Sequence, residues 1–483
     1  MNKFTINLSE LSSEMRCSVK HNFYKRELSG ALEDVPTVQL RSMLVADPQY
    51  GAGEAGIDME NENDIRYIRI TDIDEFGYLS GNDKKTAEKI NLKYLLKHHD
   101  FLIARSGNTV GKSFLYDKEK HEKAIFAGYF IKFEVNPNKI NPKFLFYYTK
   151  SRLFETWKNS TIRVMGQPNI NAEEYKGMPV PLLPIDIQDE IVEKLIKIEA
   201  KVIDLKTRLS DPLEIINNVF AEEFKYSYNI WKEFGKGMTA GTQRLNARKL
   251  NWFSLGFENT SNNKTFRFSS RFHNPSTRNL YSILKARSTK KLKEVLIEPV
   301  NRGVLPKVDI DGDVYVIKTG QLKNGKIDIT EAETVNQTFF NTKLRARTKK
   351  GDILIASTGK GSLGKVVLNE VEQEMVVDGH VSIVRVNQNL YNNLFLCYFL
   401  QSVLGVFQIE REYTGATNQI ELYSSEIENL EIPSLSLEEQ ERVVKKIKVK
   451  MDKQKEINEE IKKAQHDISN IFEKSLEDFI KEN

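Results

Sequence analysis

The chain is written twice, and that duplication limits its architecture before any single element is assigned. The segment 100–112, DFLIARSGNTVGK, returns 252 positions on and one residue longer as DILIASTGKGSLGK over 352–365. Leu40 aligns with Leu292, Pro181 with Pro433, Gln188 with Gln440, and INNVF at 216–220 with ISNIF at 468–472, all at that offset of 252. Between these anchors the register slips, as loops of unequal length require: YIRIT at 67–71 meets YVIKT at 315–319 at an offset of 248. Residues 1–231 and 253–483 are therefore two copies of one unit, joined by a connector at 232–252 that contains Gly235, Gly237 and Gly241. A repeat this long predicts a pseudo-twofold molecule with two similar, separately diverged sites, and hence a ligand in two parts.

Each copy is long enough to bury a core of its own. No apolar run approaches the ~20 residues of a membrane span, and the opening MNKFTINLSELSSEM lacks the basic-then-apolar order of a signal peptide. A cytoplasmic protein without a membrane partner is expected. Cys17 and Cys397 are the two cysteines, too few for a disulfide framework or a four-ligand zinc site, and both read as buried apolar residues in a reducing compartment. The net charge of +4 permits nucleic acid without demanding it.

Within each copy, β-branched and aromatic runs at 38–44, 67–73, 101–104 and 125–133 predict short strands. Asn141 and Pro142 supply a cap and a first-turn proline for a helix through about Lys158, matched by the aromatic stretch 390–407. A proline-marked segment follows, PVPLLP at 179–184 or IPSL at 432–435, and then a long helix. In copy one Ile191, Leu195, Ile198, Val202, Leu205, Leu209, Ile216 and Val219 fall at spacings of four and three, with Pro212 at the missing step. Copy two reads Val443, Ile447, Lys450, Gln454, Ile457, Ile461, Ala464, Ile468 and Ile471, with no Gly or Pro after Pro433. This is a heptad seam, and helices of about 50 Å at ~1.5 Å per residue need a partner. An antiparallel coiled-coil pair is expected, with Lys450 and Gln454 fixing its register.

The strongest enzyme-like motif is SGNTVGKS at 106–113, which approaches the phosphate-binding pattern GxxxxGK[ST]. It fails by one residue, because the first glycine should stand at Ser106; copy two restores the spacing from Gly359 to Lys365 but places Val366 where a metal-binding hydroxyl is needed. Two readings stay open: a plain strand-to-strand turn, or a turn whose amides and lysine meet DNA phosphate. There is no HExxH, no CxxC and no PPY segment of the kind that amino-methyltransferases place beside a flipped base. Asp378 and His380 are replaced in copy one by Ala127 and Tyr129, so they read as supports of the fold. His98 and His99 should point to opposite sides of a strand and serve as solvated surface. The recurring leaders RCSVK at 16–20 and RFSSR at 267–271 are expected to rest against the neighbouring helix base.

Two globular parts alternating with two long helices, DILIASTG at 352–359 with Gly364 and Lys365, VDGH at 377–380, GATNQI at 415–420 and IPSLSLEEQ at 432–440 together resemble the DNA-specificity subunit of Type I restriction-modification systems. Copy one departs more, with GQPNI at 166–170 for the GATNQ segment and Tyr129 for His380. The resemblance implies an α+β fold: two target recognition domains, each a mixed, strand-rich α/β globule, alternating with two long antiparallel coiled-coil spacer helices in a pseudo-twofold repeat. Its boundaries are 1–184 for the first recognition domain, 185–231 for the central spacer helix, 232–252 for the connector, 253–436 for the second recognition domain and 437–483 for the C-terminal helix. It further implies a non-catalytic chain that binds double-stranded DNA, two methyltransferase subunits and restriction/translocase subunits. No cofactor is expected on this chain; S-adenosylmethionine, ATP and Mg belong to the partners.

DNA readers need loops bearing Arg, Lys, amide and hydroxyl groups, because guanidinium forks and amides match base edges. Copy one offers Arg105, Ser106, Asn108, Thr109 and Lys112 in the glycine turn, with Arg163, Gln167 and Asn169 ahead of the proline segment. Copy two offers Thr319, Gln321, Lys323, Thr358, Lys360, Lys365, Arg411, Thr417 and Asn418. Base readers should also lie where the copies disagree, as at 46–64 and 298–313. A stand-alone tandem scaffold that binds protein is the alternative, and a neighbouring adenine methyltransferase gene would argue against it.

Overall fold

The computed structural model describes residues 19–31, 35–61, 63–79, 84–162, 167–227, 230, 272–273, 275–323, 325–416 and 419–482. The connector at 232–252 and the leaders at 16–18 and 267–271 lie outside them. The chain divides into two compact units: Met1–Leu209 with Ile457–Asn483, and Ser210–Glu456. These units do not follow the copy boundaries, because the C-terminal helix Leu437–Glu482 gives its first half to the second unit and its last half to the first.

In the first unit an antiparallel sheet runs in the order 49–50, 130–133, 101–104, 113–115. Phe101–Ala104 is buried at every position. Side chains alternate across a strand, so Phe101 and Ile103 enter a core with the helices Pro142–Tyr148 and Arg152–Thr161, while Leu102 and Ala104 enter a separate core with Ile68, Phe114 and Phe126. This accounts for the unbroken apolar run in the sequence: the strand is covered on both faces. The second unit repeats the sheet as 301–302, 381–384, 353–356, 366–368, and divides Ile353 and Ile355 from Leu354 and Ala356 in the same way.

Several expected strands prove shorter. The run 38–44 is a strand only at Thr37–Gln39, then turns as 3-10 helix over Leu40–Met43; 125–133 is two strands, Ala124–Phe126 and Phe130–Phe133. The helix expected to reach Lys158 breaks at Ser151, whose hydroxyl donates to Tyr148 O (2.7 Å) and accepts from Phe154 N (3.2 Å). Ser402 stands at the matching break between Asn393–Gln401 and Val403–Glu412, where its hydroxyl donates to Phe399 O (2.6 Å) and Asn217 Oδ1 accepts from Val403 N (2.7 Å). Register also differs slightly: Ala127 N donates to Ile68 O, and Asp378 N to Ile317 O, so Ile317 stands in the place of Ile68, one residue out from the sequence alignment. No single described helix is long and apolar enough to cross a membrane; the bent pair 393–401 and 403–412 is apolar because it is buried in the second core.

The glutamine shared by the copies is the clamp that seats each helix. Gln188 and Gln440 are fully buried. Gln188 Oε1 accepts from Asn141 N (2.8 Å) and its Nε2 donates to Leu183 O (2.9 Å); Gln440 does the same with Asn392 N (2.8 Å) and Leu435 O (2.9 Å). Each therefore satisfies a helix-entry amide and the carbonyl that precedes the helix, groups costly to leave unpaired. The proline segments 179–181 and 431–433 pair with 37–39 and 289–291 as short two-stranded sheets, where a missing N–H is tolerated.

The central helix expected over 185–231 is two helices, Ile185–Thr207 and Pro212–Phe224. Pro212 has no N–H to continue the ladder and suits a first turn, which Asp211 caps through Leu213 N (2.8 Å). The seam is shared between two kinds of packing. Val202 and Leu205 pack on Ile461 and Ala464, helix against helix, whereas Ile191 and Leu195 join Ile468, Phe472 and Leu476 in the globular core of the first unit. In the second unit Ile216 and Val219 share a core with Val443 and Ile447. The polar seam positions are both engaged: Lys450 pairs with Glu222 (3.2 Å), and Gln454 Oε1 accepts from Ser210 N (2.8 Å) at the helix break. The helices after the leaders, Val19–Ala31 and Pro275–Lys285, pack on Arg152–Thr161 and Val403–Glu412 of their own globules; the expected seating of the leaders on a neighbouring helix base falls on residues outside the described ones.

Candidate nucleic-acid interface

Both glycine turns share one backbone. Ala104 N donates to Lys112 O (2.8 Å) and Gly111 N to Ala104 O (3.0 Å); Ala356 N donates to Lys365 O (2.9 Å) and Gly364 N to Ala356 O (2.9 Å). Gly107 and Gly111 have φ of +73° and +87°, Gly359 and Gly364 of +86° and +85°, a region closed to most side chains. The turn links two antiparallel strands, whereas a phosphate-binding loop leads from strand into helix. Ser113, the residue in the metal-binding place of that motif, is buried and bonded to Thr149 Oγ1 (2.7 Å) and Lys150 Nζ (2.8 Å).

A second segment closes over each turn. Gly107 N donates to Pro168 O (2.9 Å) and Ile170 N to Arg105 O (2.9 Å); Gly359 N donates to Ile420 O (3.1 Å) and Leu422 N to Ser357 O (2.9 Å). Arg105, Ser106, Asn108, Thr109, Gln167 and Asn169 are thereby brought together, with Asn108 and Gln167 exposed. Thr109 Oγ1 is turned back onto Ser106 O (3.2 Å). In the second unit Thr358 and Lys360 stand on the turn, and Thr358 Oγ1 shares a hydrogen bond with His380 Nδ1 (2.6 Å). Arg163, Thr417 and Asn418 lie outside the described residues.

Other candidates are held by the fold. Lys112 donates to Ile73 O (3.0 Å), pairs with Glu75 (3.0 Å) and has a side chain only 9% exposed, so it secures the turn to the 73–79 loop and is not presented to a phosphate. Lys365 reaches Thr319 O (3.4 Å), and burial pushes its ammonium pKa below the usual lysine range. This places Thr319 beside the turn and directs one of the three ammonium N–H groups of Lys365 inward. Gln321 Oε1 accepts from Lys318 N (3.2 Å) as a local cap, and Lys323 pairs with Asp328 (2.9 Å). Arg411 lies over Phe272 (4.1 Å) and Tyr281 (5.0 Å), which makes it a packing residue of the helical layer.

Asp378 does brace the fold, accepting from His380 N (3.0 Å) while burial pushes its carboxyl pKa up. His98 and His99 stack at 3.7 Å instead of diverging, because the positive φ of His99 (+70°) breaks strand alternation. Cys397 is buried, which pushes its thiol pKa up to about 12; Cys17 lies outside the described residues.

Sequence reasoning did not single out Tyr50 and Arg302, and it read Tyr129 only as the counterpart of His380. Tyr50 is 41% exposed beneath the Arg105 guanidinium, and Tyr129, 58% exposed, receives Arg105 N at its carbonyl (3.0 Å). Arg302 takes the place of Tyr50 in the second sheet and is paired with Glu421. Tyr50 and Arg302 both fall within the stretches 46–64 and 298–313 where the copies disagree; divergence flagged those stretches without ranking their residues.

The chain resembles known proteins along most of its length. It is 22% identical over 399 residues to the Type I restriction enzyme MjaVIII specificity subunit of Methanocaldococcus jannaschii, covering 81% of this chain and 82% of that one. It is 27% identical over 165 residues to the StySPI specificity subunit of Salmonella potsdam, but there the match spans 33% of this chain and only 35% of the relative. A solved chain from work on complex assembly and conformational transition of the type I R-M system aligns over 92% of this chain and 98% of its own length, at 14% identity and a TM-score of 0.44. The family described as Type I restriction modification DNA specificity domain matches twice, at residues 54–214 and 288–464, so each copy carries its own match. The chain belongs to that family.

Proposed function

We propose that this chain is the non-catalytic DNA-recognition subunit of a Type I restriction-modification complex. Each globule reads one half of an interrupted, asymmetric target, and the helices space the two and dock two methyltransferase subunits. Restriction/translocase subunits join that assembly; S-adenosylmethionine, ATP and Mg are used by the partner subunits. The observation that carries this reading is the pair of glycine turns, alike in backbone and unlike in side chains, as expected of one scaffold made to read two sequences. Sequencing the host methylome with and without the gene tests it. Loss of one interrupted methylated motif is the expected result; an unchanged methylome would remove the proposal.

A further inference from the structure

Arg105 is the best-prepared arginine on either turn. Its Nε donates to Gly128 O (3.1 Å) and its guanidinium lies over the Tyr50 ring, 5.0 Å from the centroid. Tyr50 is itself fixed, paired in the sheet with Ile131 and accepting from Ala172 N at its hydroxyl (3.2 Å). Among the described residues the two terminal nitrogens of Arg105 have no acceptor. The result is a guanidinium oriented at one edge and free at the other, beside exposed Tyr129, Asn108 and Gln167. A free fork of this kind matches two acceptors side by side, as guanine O6 and N7 present them in the major groove.

The second unit shows why the partner is a base and not the backbone. At the position of Arg105 stands Ser357, buried and bonded to Ser382 Oγ (2.5 Å). The arginine that replaces Tyr50, Arg302, is held by Glu421 through one terminal nitrogen, and its other two nitrogens are buried away from the surface. DNA phosphates have the same geometry whatever the sequence, so a phosphate contact would serve both units alike; a base contact belongs to the unit whose half-site needs it. We propose that Arg105, oriented by Tyr50, reads a guanine in the half-site bound by the first unit. This rests on the reading of the chain as a two-part DNA recogniser.

The test uses the full chain assembled with its partner subunits, reading the methylome and the affinity for duplexes varied one base at a time. The key variant is Arg105→Lys, which keeps the charge but loses the fork. It should lower discrimination for guanine at one position of one half-site by roughly 10- to 100-fold, leaving the other half-site intact. Tyr50→Ala should weaken the same position less. A wild-type base preference in Arg105→Lys overturns the inference, and so does a uniform loss in Arg105→Ala over all sequences with a salt slope shallower by about 0.9, the signature of a phosphate contact. If the unmodified assembly prefers no two-part motif at all, the reading of the chain as a recogniser fails, independently of Arg105.

Discussion

The two glycine turns differ in what their side chains are free to do. Around Arg105 the first unit presents a ring-backed guanidinium and an exposed tyrosine; around Thr358 the second unit presents a hydroxyl already joined to His380 and an arginine already joined to Glu421. The hydrogen bonds at the strand ends of the turn and to the segment that closes over it are the same on both sides, although the second turn is one residue longer. Backbone bonds depend on glycines at positive φ and on strand pairing, which tolerate any neighbour that does not clash; recognition depends on atoms with no partner inside the protein. A fold built this way can change its target without changing its shape.

Replacing residues 1–184 with the equivalent domain of a relative puts that separation to its most severe test. One half of the methylated motif should be exchanged completely and the other retained, as methylome sequencing would read. If both halves change, the units do not read independently.

The next effect concerns what the units share. Gln188→Ala and Gln440→Ala each remove the bonds to a helix-entry amide and to the carbonyl before the helix and leave both groups unpaired; Gln188 gives up in addition a longer bond to Lys139 O (3.4 Å). Each should cost about 2–4 kcal/mol in denaturant unfolding. Equal losses would confirm the clamp as a common part; a loss in only one variant would show that the apparent symmetry is not energetic.

The turn lysines then separate the copies. Lys112 has both a carbonyl and a carboxylate, Lys365 a carbonyl alone. Lys112→Ala should destabilise by about 1–2 kcal/mol and Lys365→Ala by about half as much, with the salt dependence of DNA binding unchanged. A slope shallower by about 0.9 in either variant would restore the phosphate contact.

What was legible in the sequence was whatever the copies hold in common or whatever has a period. The matched glutamines, the apolar strands 101–104 and 353–356, the heptad spacing and the interruption at Pro212 all carry such a signal. Side-chain partners distant in the chain do not. Nothing near Arg411 announces Phe272 or Tyr281, and nothing near Lys112 announces Glu75, so both basic residues read as DNA contacts until tertiary packing supplies their partners. Tyr50 was hidden for a different reason: its role depends on sheet pairing that places it under Arg105, which no local pattern records.

The smallest expected effect lies in how each unit holds its part of the long helix. The first relies on the apolar contact of Val202 and Leu205 with Ile461 and Ala464; the second adds a charged clasp in which Glu223 meets Arg442 (2.7 Å) and Lys446 (2.5 Å). Burial pushes the Glu223 carboxyl pKa up, but the hydrogen bonds and charges of Arg442 and Lys446 together outweigh it and hold the group below the usual glutamate range. The folded state therefore favours the ionised form. Its contribution to stability is fully present above the unfolded value of about 4.3 and is lost as pH falls through the lower folded value. Because Arg442 and Lys446 are about half exposed, screening keeps the gain to about 1 kcal/mol or less. Glu223→Gln should accordingly be less stable than the parent at neutral pH by that amount, and the two stability curves should converge as the pH drops below 4.3. A gap that persists undiminished in acid would assign the loss to packing, and the charged clasp would cease to distinguish the second unit from the first.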